Sequence, residues 1–278
     1  MIQYQSENIT VFQSALYQTT STIIQTNEMV LLVDPNWLSG EVETIKDYVN
    51  AIKGNRDTYL LFTHGDFDHI IGYQAFPDAK VIGSVGLKQH PQKEKKLQLI
   101  REFDNSNYII RNYPIEFPRL DIVIQEDGQQ LCLGDTTITF YLAPGHTEDG
   151  LMTIVEPLGV LIAGDYLSDF ERPFIYQSAK AYRQTLEKAD RIFATHSIHL
   201  LIPGHGQATA DSTEMTRRLD MASDYLNRLC EAVMTNNEIA LDELYHEHAF
   251  LSPFTEGCHK ENINIIRREC GSSGIAGG

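Results

Sequence analysis

Short apolar runs alternate with stretches of helical periodicity through most of the chain, the pattern of an α/β protein. Ser21 to Ile24 and Met29 to Val33 predict a strand pair, with Thr26-Asn27-Glu28 near the turn. Val42, Ile45, Val49 and Ile52 recur at helical spacing, which predicts a helix that Gly54 stops. Thr58 to Phe62 is an apolar run of strand length, followed at once by His64. Lys80 to Ile82 predicts another strand, and Gln92 to Asn107 a helix with Leu97, Ile100 and Phe103 on one side. Farther on, Thr136 to Leu142 alternates and ends at Pro144-Gly145, while Leu151 to Val155 and Val160 to Ala163 flank a turn. A helix is expected over Ala179 to Ala189, and a short strand over Leu200 to Ile202 before Pro203-Gly204. Long helical periodicity follows from Ser212 to Val233, and a further helix is expected over Leu241 to His248.

No Pro/Gly/Ser-rich linker divides this succession, so it predicts a single domain over 1–270, with C-terminal helices from about 211. The last eight residues, Gly-Ser-Ser-Gly-Ile-Ala-Gly-Gly at 271–278, have the composition of a flexible tail or an expression remnant.

Charge narrows the choice of partners. Thirty-eight acidic residues against 22 basic ones give a net charge of −16, and a field of that sign repels polyanions. The densest basic run, Lys93-Glu94-Lys95-Lys96, has the look of a solvated helix face. Extended nucleic acid is therefore not an expected partner; a small molecule is. No apolar run approaches the roughly 20 residues that span a bilayer, and the polar stretch from Met1 to Phe12 is not a secretory signal pattern. Four scattered cysteines (Cys132, Cys230, Cys258, Cys270) without a C-x-x-C pair suit a reducing compartment. The expected location is the cytoplasm, away from membranes. A homo-oligomer is compatible with the sequence but does not follow from it.

The densest chemistry lies in Thr63-His64-Gly65-Asp66-Phe67-Asp68-His69, where four potential metal ligands fall within six residues. In an extended segment, positions two apart face the same way, so His64 and Asp66 can address one ion. Asp68 and His69, where the chain turns into a helix, can address a second. Three more candidates each follow a short strand and a glycine: His146 in Pro144-Gly145-His146-Thr147, Asp165 in Ala163-Gly164-Asp165, and His205 in Pro203-Gly204-His205-Gly206. A rigid sheet can hold such strand ends in one shared cleft.

In this order, H-x-D-x-D-H, G-H-T, G-D and P-G-H-G resemble the metallo-β-lactamase superfamily, over roughly Ser21 to Gly206. The resemblance implies a four-layer αββα sandwich with a two-metal cleft at one edge of its sheets. It also implies a first ion on His64, Asp66 and His146, a second on Asp68, His69 and His205, and Asp165 bridging both. The implied reaction is hydrolysis by a metal-bridging hydroxide, generated by lowering the pKa of water from about 15.7 toward ~7. Asp68 would orient that hydroxide and pass its proton to the leaving group.

One position departs from the family's usual H-x-H-x-D-H, because Asp66 replaces the second histidine. Three carboxylates and a hydroxide would then cancel the charge of two divalent ions, where the usual site keeps one net positive charge. Asp66 thus implies a weaker Lewis acid of harder, more oxygen-rich character, with zinc the first expectation and iron or manganese admitted. A carboxylate that only orients a ligand histidine is the other reading of Asp66.

Around this set, Asp34 fits a turn cap as well as a support for the ligands, and Glu148 and Asp149 fit a solvated loop, with support of the ligands the other reading. Tyr166, Phe170, Arg172, Phe174 and Tyr176 follow the bridging aspartate and are candidates for a partly aromatic substrate wall, with ordinary packing the other reading and Arg172 a local cation for an anionic group. His259 is a further candidate contact, if a C-terminal element covers the cleft; otherwise it caps the last helix. His90, His196, His199, His246 and His248 are assigned to surface or packing.

Three functions compete. The first is hydrolysis of a small carbonyl compound, a thioester, lactone or other ester. The second is hydrolysis of a small-nucleotide phosphodiester, and the third, of another class, is a metal-bound sensing or binding module without turnover. A fold does not decide among them.

Overall fold

Strand β4 (Met29–Val33) is buried at all five positions, and its alternation explains why. Val30 and Leu32 pack toward helix α1 (Ser39–Lys53), while Met29, Leu31 and Val33 face a second sheet. A strand covered on both faces carries a continuous apolar run, as this one does. The computed structural model describes residues 1–273, and the same logic holds throughout them.

Among the described residues, the first sheet has seven strands in sequence order: β1 (Ile2–Gln5), β2 (Ile9–Gln13), β3 (Thr20–Gln25), β4, β5 (Asp57–Leu61), β6 (Lys80–Ser84) and β7 (Ile122–Ile124). Pairing is antiparallel from β1 to β4 and parallel from β4 to β7. Parallel neighbours need crossovers, and α1 supplies the first of them. Short helices α2 (Phe67–Ile70) and α3 (Val85–Gln89) and the longer α4 (Lys93–Ser106) belong to the later crossovers.

The second sheet has five strands in the order β12-β11-β10-β9-β8. These are β8 (Gln129–Leu133), β9 (Thr136–Leu142), β10 (Leu151–Glu156), β11 (Val160–Ile162) and β12 (Leu200–Ile202). Helices α5 (Ala179–Thr195), α6 (Ser212–Met234) and α8 (Pro253–Ser273) cover its outer face, and α7 (Glu238–His246) packs on α6. The result is the four-layer αββα sandwich.

Three apolar clusters fill it. One lies between the sheets, with Ile24, Leu31 and Leu61 opposite Phe140, Val155 and Ile162. A second joins the first sheet to α1 and α4 through Val42, Ile45, Leu97 and Ile100. The third joins the second sheet to the C-terminal helices through Met152, Leu161, Tyr182, Leu226 and Ile265.

Most predicted elements occur where the apolar pattern places them. Strands β1 and β2 were not anticipated, and neither was α8, whose polar, glycine-containing sequence carries only a weak apolar stripe. That helix continues through Gly271 to Ser273, three residues into the segment expected to be a tail; 274–278 lie outside the described residues. No helix among the described residues is long and apolar enough to cross a membrane.

Candidate metal centre

The seven donors stand at strand ends along one edge of the two sheets. His64 and Asp66 follow β5, and Asp68 and His69 lie in α2. His146 follows β9, Asp165 follows β11, and His205 follows β12. The two sheets are tied at this edge, where the Thr20 N–H donates to the Gly204 carbonyl at 2.7 Å and Thr19 bridges His205. Two glycines are required by close approach. A Cβ on Gly204 would lie 2.3 Å from Asp165 Oδ1. Gly145 has a φ of +130°, and a Cβ there would meet the Tyr182 backbone at 2.3 Å.

Asp165 is the hub. Its Oδ2 lies 3.5 Å from His64 Nε2, 3.2 Å from His146 Nε2 and 3.4 Å from His205 Nε2, and its Oδ1 lies 3.2 Å from His69 Nε2. Asp66 Oδ2 stands 3.8 Å from His64 Nε2 and 3.5 Å from His146 Nε2. Asp68 Oδ2 stands 3.5 Å from His69 Nε2 and 3.4 Å from His205 Nε2. Two compact groups result, His64–Asp66–His146 and Asp68–His69–His205, and a third, His64–His69–Asp165, links them.

Each imidazole is held from behind. His146 Nδ1 donates to the Phe174 carbonyl at 2.7 Å, and His205 Nδ1 to the Tyr17 carbonyl at 2.8 Å. His69 Nδ1 meets Asp34 Oδ2 at 2.9 Å. Asp34 Oδ2 also accepts from Thr63 Oγ1 at 2.5 Å, leaving that hydroxyl to accept from His64 Nδ1 at 3.0 Å. With the proton fixed on Nδ1, every Nε2 presents a lone pair to the cluster. Asp34 is therefore a support for the imidazoles rather than a turn cap alone; it sits at a left-handed φ of 45°, the end of β4.

Burial and charge act against each other here. Burial pushes His64 down to about 3, helped by the neighbouring His69. Burial works the same way on His146, yet Asp165 and Asp66 raise it to about 10. Burial would raise Asp165 too, but His69, His205 and His64 hold it well below the usual carboxylate range.

A pair of cations fits these donors. The buried Nε2 atoms of His64, His69 and His146 and the Oδ1 of Asp165 have no hydrogen-bond partner, and buried polar atoms seldom go unmatched without a reason. Tetrahedral arms of about 2.0–2.2 Å place neighbouring ligand atoms about 3.3–3.6 Å apart, close to the N···O spacings measured around Asp165.

The centre opens into a cleft of about 100 Å³. Its wall includes Tyr17, Trp37, Phe67, Phe174, Tyr176 and Phe254, with the Glu171 carboxyl among them. Burial pushes Glu171 up to about 7. Phe254, from the first turn of α8, packs its ring against Tyr17 at 5.1 Å and Phe174 at 5.8 Å. A C-terminal helix thus does reach the cleft, through Phe254.

The other candidate contacts are placed differently. Tyr166 is buried beneath His146, where its hydroxyl accepts from the His146 N–H at 3.0 Å and donates to the Pro144 carbonyl at 3.0 Å. Phe170 packs edge-on against Phe250 in a groove at the cleft mouth. Arg172 donates to the Glu247 carbonyl at 3.0 Å and lines a narrow crevice behind Glu171. His259 is buried in the helical layer between the Tyr225 hydroxyl and the Leu241 carbonyl, not at the cleft. Asp149, expected in a solvated loop, is 1% exposed, and neither of its carboxylate oxygens has a partner. Sequence reasoning did not single out Thr63, Glu171, Tyr17, Trp37, Phe254 or Lys96.

Comparison with known proteins agrees with this architecture. A family model described as the metallo-beta-lactamase superfamily matches residues 15–205. A type 2 metallo-beta-lactamase of Bacillus sp. (strain 170) is 23% identical over 213 residues, 76% of this chain and 75% of that protein. Among solved structures, the stereoselective inverting sec-alkylsulfatase Pisa1 from Pseudomonas sp. superposes with a TM-score of 0.71 at 12% identity. That match covers 96% of this chain, which spans only 49% of the sulfatase. A metallo-beta-lactamase from Pontibacter korlensis gives a TM-score of 0.56 at 14% identity, covering 80% of this chain and 98% of that one. With the family model spanning well over half its length and both sheets contributing to one His/Asp cluster, the chain belongs to the metallo-β-lactamase superfamily.

Proposed function

We propose that the protein is a dinuclear metal-dependent hydrolase acting on a small carbonyl compound, a thioester, lactone or other ester. The observation that carries the reading is the convergence of four Nε2 atoms on Asp165, each imidazole locked through its other nitrogen. His64, Asp66 and His146 would hold one ion, Asp68, His69 and His205 the other, with Asp165 shared. Zinc suits the imidazoles, and the three carboxylates also suit iron or manganese. Bound there, the ions would supply Lewis acidity and acidify water toward neutrality.

The chain's own groups supply the rest. Asp68, at the cleft floor, takes the proton of the attacking water and returns it to the leaving group. The aromatic wall receives the apolar part of an ester and excludes water from it. A chain of net charge −16 with a carboxyl in its cleft favours a neutral or cationic substrate over a polyanion.

The test pairs elemental analysis of protein purified without added metal with a panel of a thioester, a lactone, bis(p-nitrophenyl) phosphate and an alkyl sulfate. Two metal equivalents per chain and turnover of a carbonyl ester are expected. Turnover confined to the phosphodiester or the sulfate would reassign the substrate. Metal without turnover across the panel would favour a binding or sensing module.

A further inference from the structure

Asp66 replaces a neutral donor with an anionic one, and the structure contains a compensating charge. Lys96, on α4, reaches back to the loop after β5 and places Nζ 2.5 Å from Asp66 Oδ1. The other oxygen, Oδ2, faces His64 and His146. One carboxylate is therefore split between two tasks, with one oxygen toward the ion position and the other toward an ammonium group. The contact is not a surface pair: the side chains are 18% and 13% exposed. An ammonium so enclosed needs an anion beside it. Asp149 and Asp68 also act on this ammonium, after Asp66; burial raises the pKa of Asp149, and among these carboxylates the ion pair within 4 Å is the one with Asp66.

We propose that Asp66 and Lys96 act together as the replacement for a histidine ligand, Lys96 being the positioning residue that orients the Asp66 carboxylate and returns to the centre the positive charge that Asp66 removes. The inference rests on the dinuclear reading above. Three carboxylates and a hydroxide cancel two divalent ions; counting Lys96 leaves one net positive charge, the same remainder as a site with a histidine in that slot and no lysine. The Asp66 centre then keeps the electrostatic pull of the ordinary one, with an oxygen donor in place of a nitrogen.

A double-substitution cycle separates this pairing from an incidental contact. Zinc and manganese affinities would be measured by chelator competition for the full chain, for Asp66→His, for Lys96→Met and for the two combined. Asp66→His alone strands the Lys96 ammonium beside a dication, so affinity for one ion should fall about 10–100-fold. Adding Lys96→Met should restore at least a large part of that loss, whereas Lys96→Arg in the unaltered chain should keep both ions. Thermal unfolding in excess chelator checks that each variant folds; if Asp66→His does not, Asp66→Asn with and without Lys96→Met gives the same comparison. Two ions in the unaltered chain, with Lys96→Met restoring nothing to Asp66→His, would overturn the pairing alone. An unaltered chain that takes up no metal overturns the dinuclear reading and the pairing with it.

Discussion

The metal rim and the cleft wall beside it are built in opposite ways. Rim donors lie at strand ends or in the short α2, their four imidazoles are buried and pinned by a second contact, and the side chains of Asp66, Asp68 and Asp165 are only 13%, 13% and 11% exposed. The wall is assembled from rings brought by distant segments, and Tyr17, Tyr176 and Phe254 are each 40–50% exposed, at 47%, 43% and 44%. A rim of this kind fixes atoms to within the tolerance that chemistry demands, while the partly exposed rings of the wall, unlike its buried Trp37 and Phe174, can accept variation in what they hold. Under the proposed function, reaction type and substrate choice would reside in physically different parts of the molecule, and substitutions should separate them.

The largest expected effect is at Asp68. Asp68→Asn keeps the shape and one oxygen donor but removes the proton acceptor, so kcat should fall about 10²–10⁴-fold. Elemental analysis should still find both ions, and KM should hardly move. Loss of an ion together with activity would make Asp68 a structural ligand only, and the rim would lose its assigned chemistry.

Next comes the support behind the rim. Asp34 holds His69 and, through Thr63, His64. Asp34→Ala should weaken metal binding by about 10–100-fold, measured by chelator competition, without altering preference among esters. A change in substrate preference with metal affinity intact would erase the proposed division between rim and wall.

The same division explains what the sequence discloses. His64, Asp66, Asp68 and His69 are legible because local order along a strand and helix start places them. His146, Asp165 and His205 are legible because glycine beside each marks a tight strand end. The sandwich follows from apolar runs such as 29–33, buried on both faces. Lys96 was hidden in a basic run that resembles any solvated helix face, although it precedes Ile100 by one helical turn and so shares its inward side. Phe254 and Tyr17 had no local signal, since no spacing relates residues 237 positions apart that meet only through the tertiary fold. Asp149 runs against ordinary expectation, being an unpaired carboxyl in a buried loop.

Phe254→Ala tests the wall. It removes the ring that spans Tyr17 and Phe174, and loss of one apolar contact of this size should raise KM about 10-fold or somewhat more for an ester with a large acyl group. Metal content should stay at its original value, and a short-chain ester should be affected less. Equal effects on long and short esters would mean that Phe254 closes the cleft without choosing its occupant.

The smallest effect on catalysis is expected at His259, which marks where the wall ends. Its Nδ1 meets the Tyr225 hydroxyl at 3.0 Å and its Nε2 the Leu241 carbonyl at 3.0 Å, so it joins α6, α7 and α8 beneath the surface. His259→Leu fills the space but leaves those two buried polar groups short of a partner, at a cost of about 1–3 kcal/mol. Denaturant unfolding should register that loss, while KM and metal content remain unchanged. A shift in KM larger than that of Phe254→Ala would show that the helical layer communicates with the substrate through more than the first turn of α8, and the boundary between wall and scaffold would move inward to include α6.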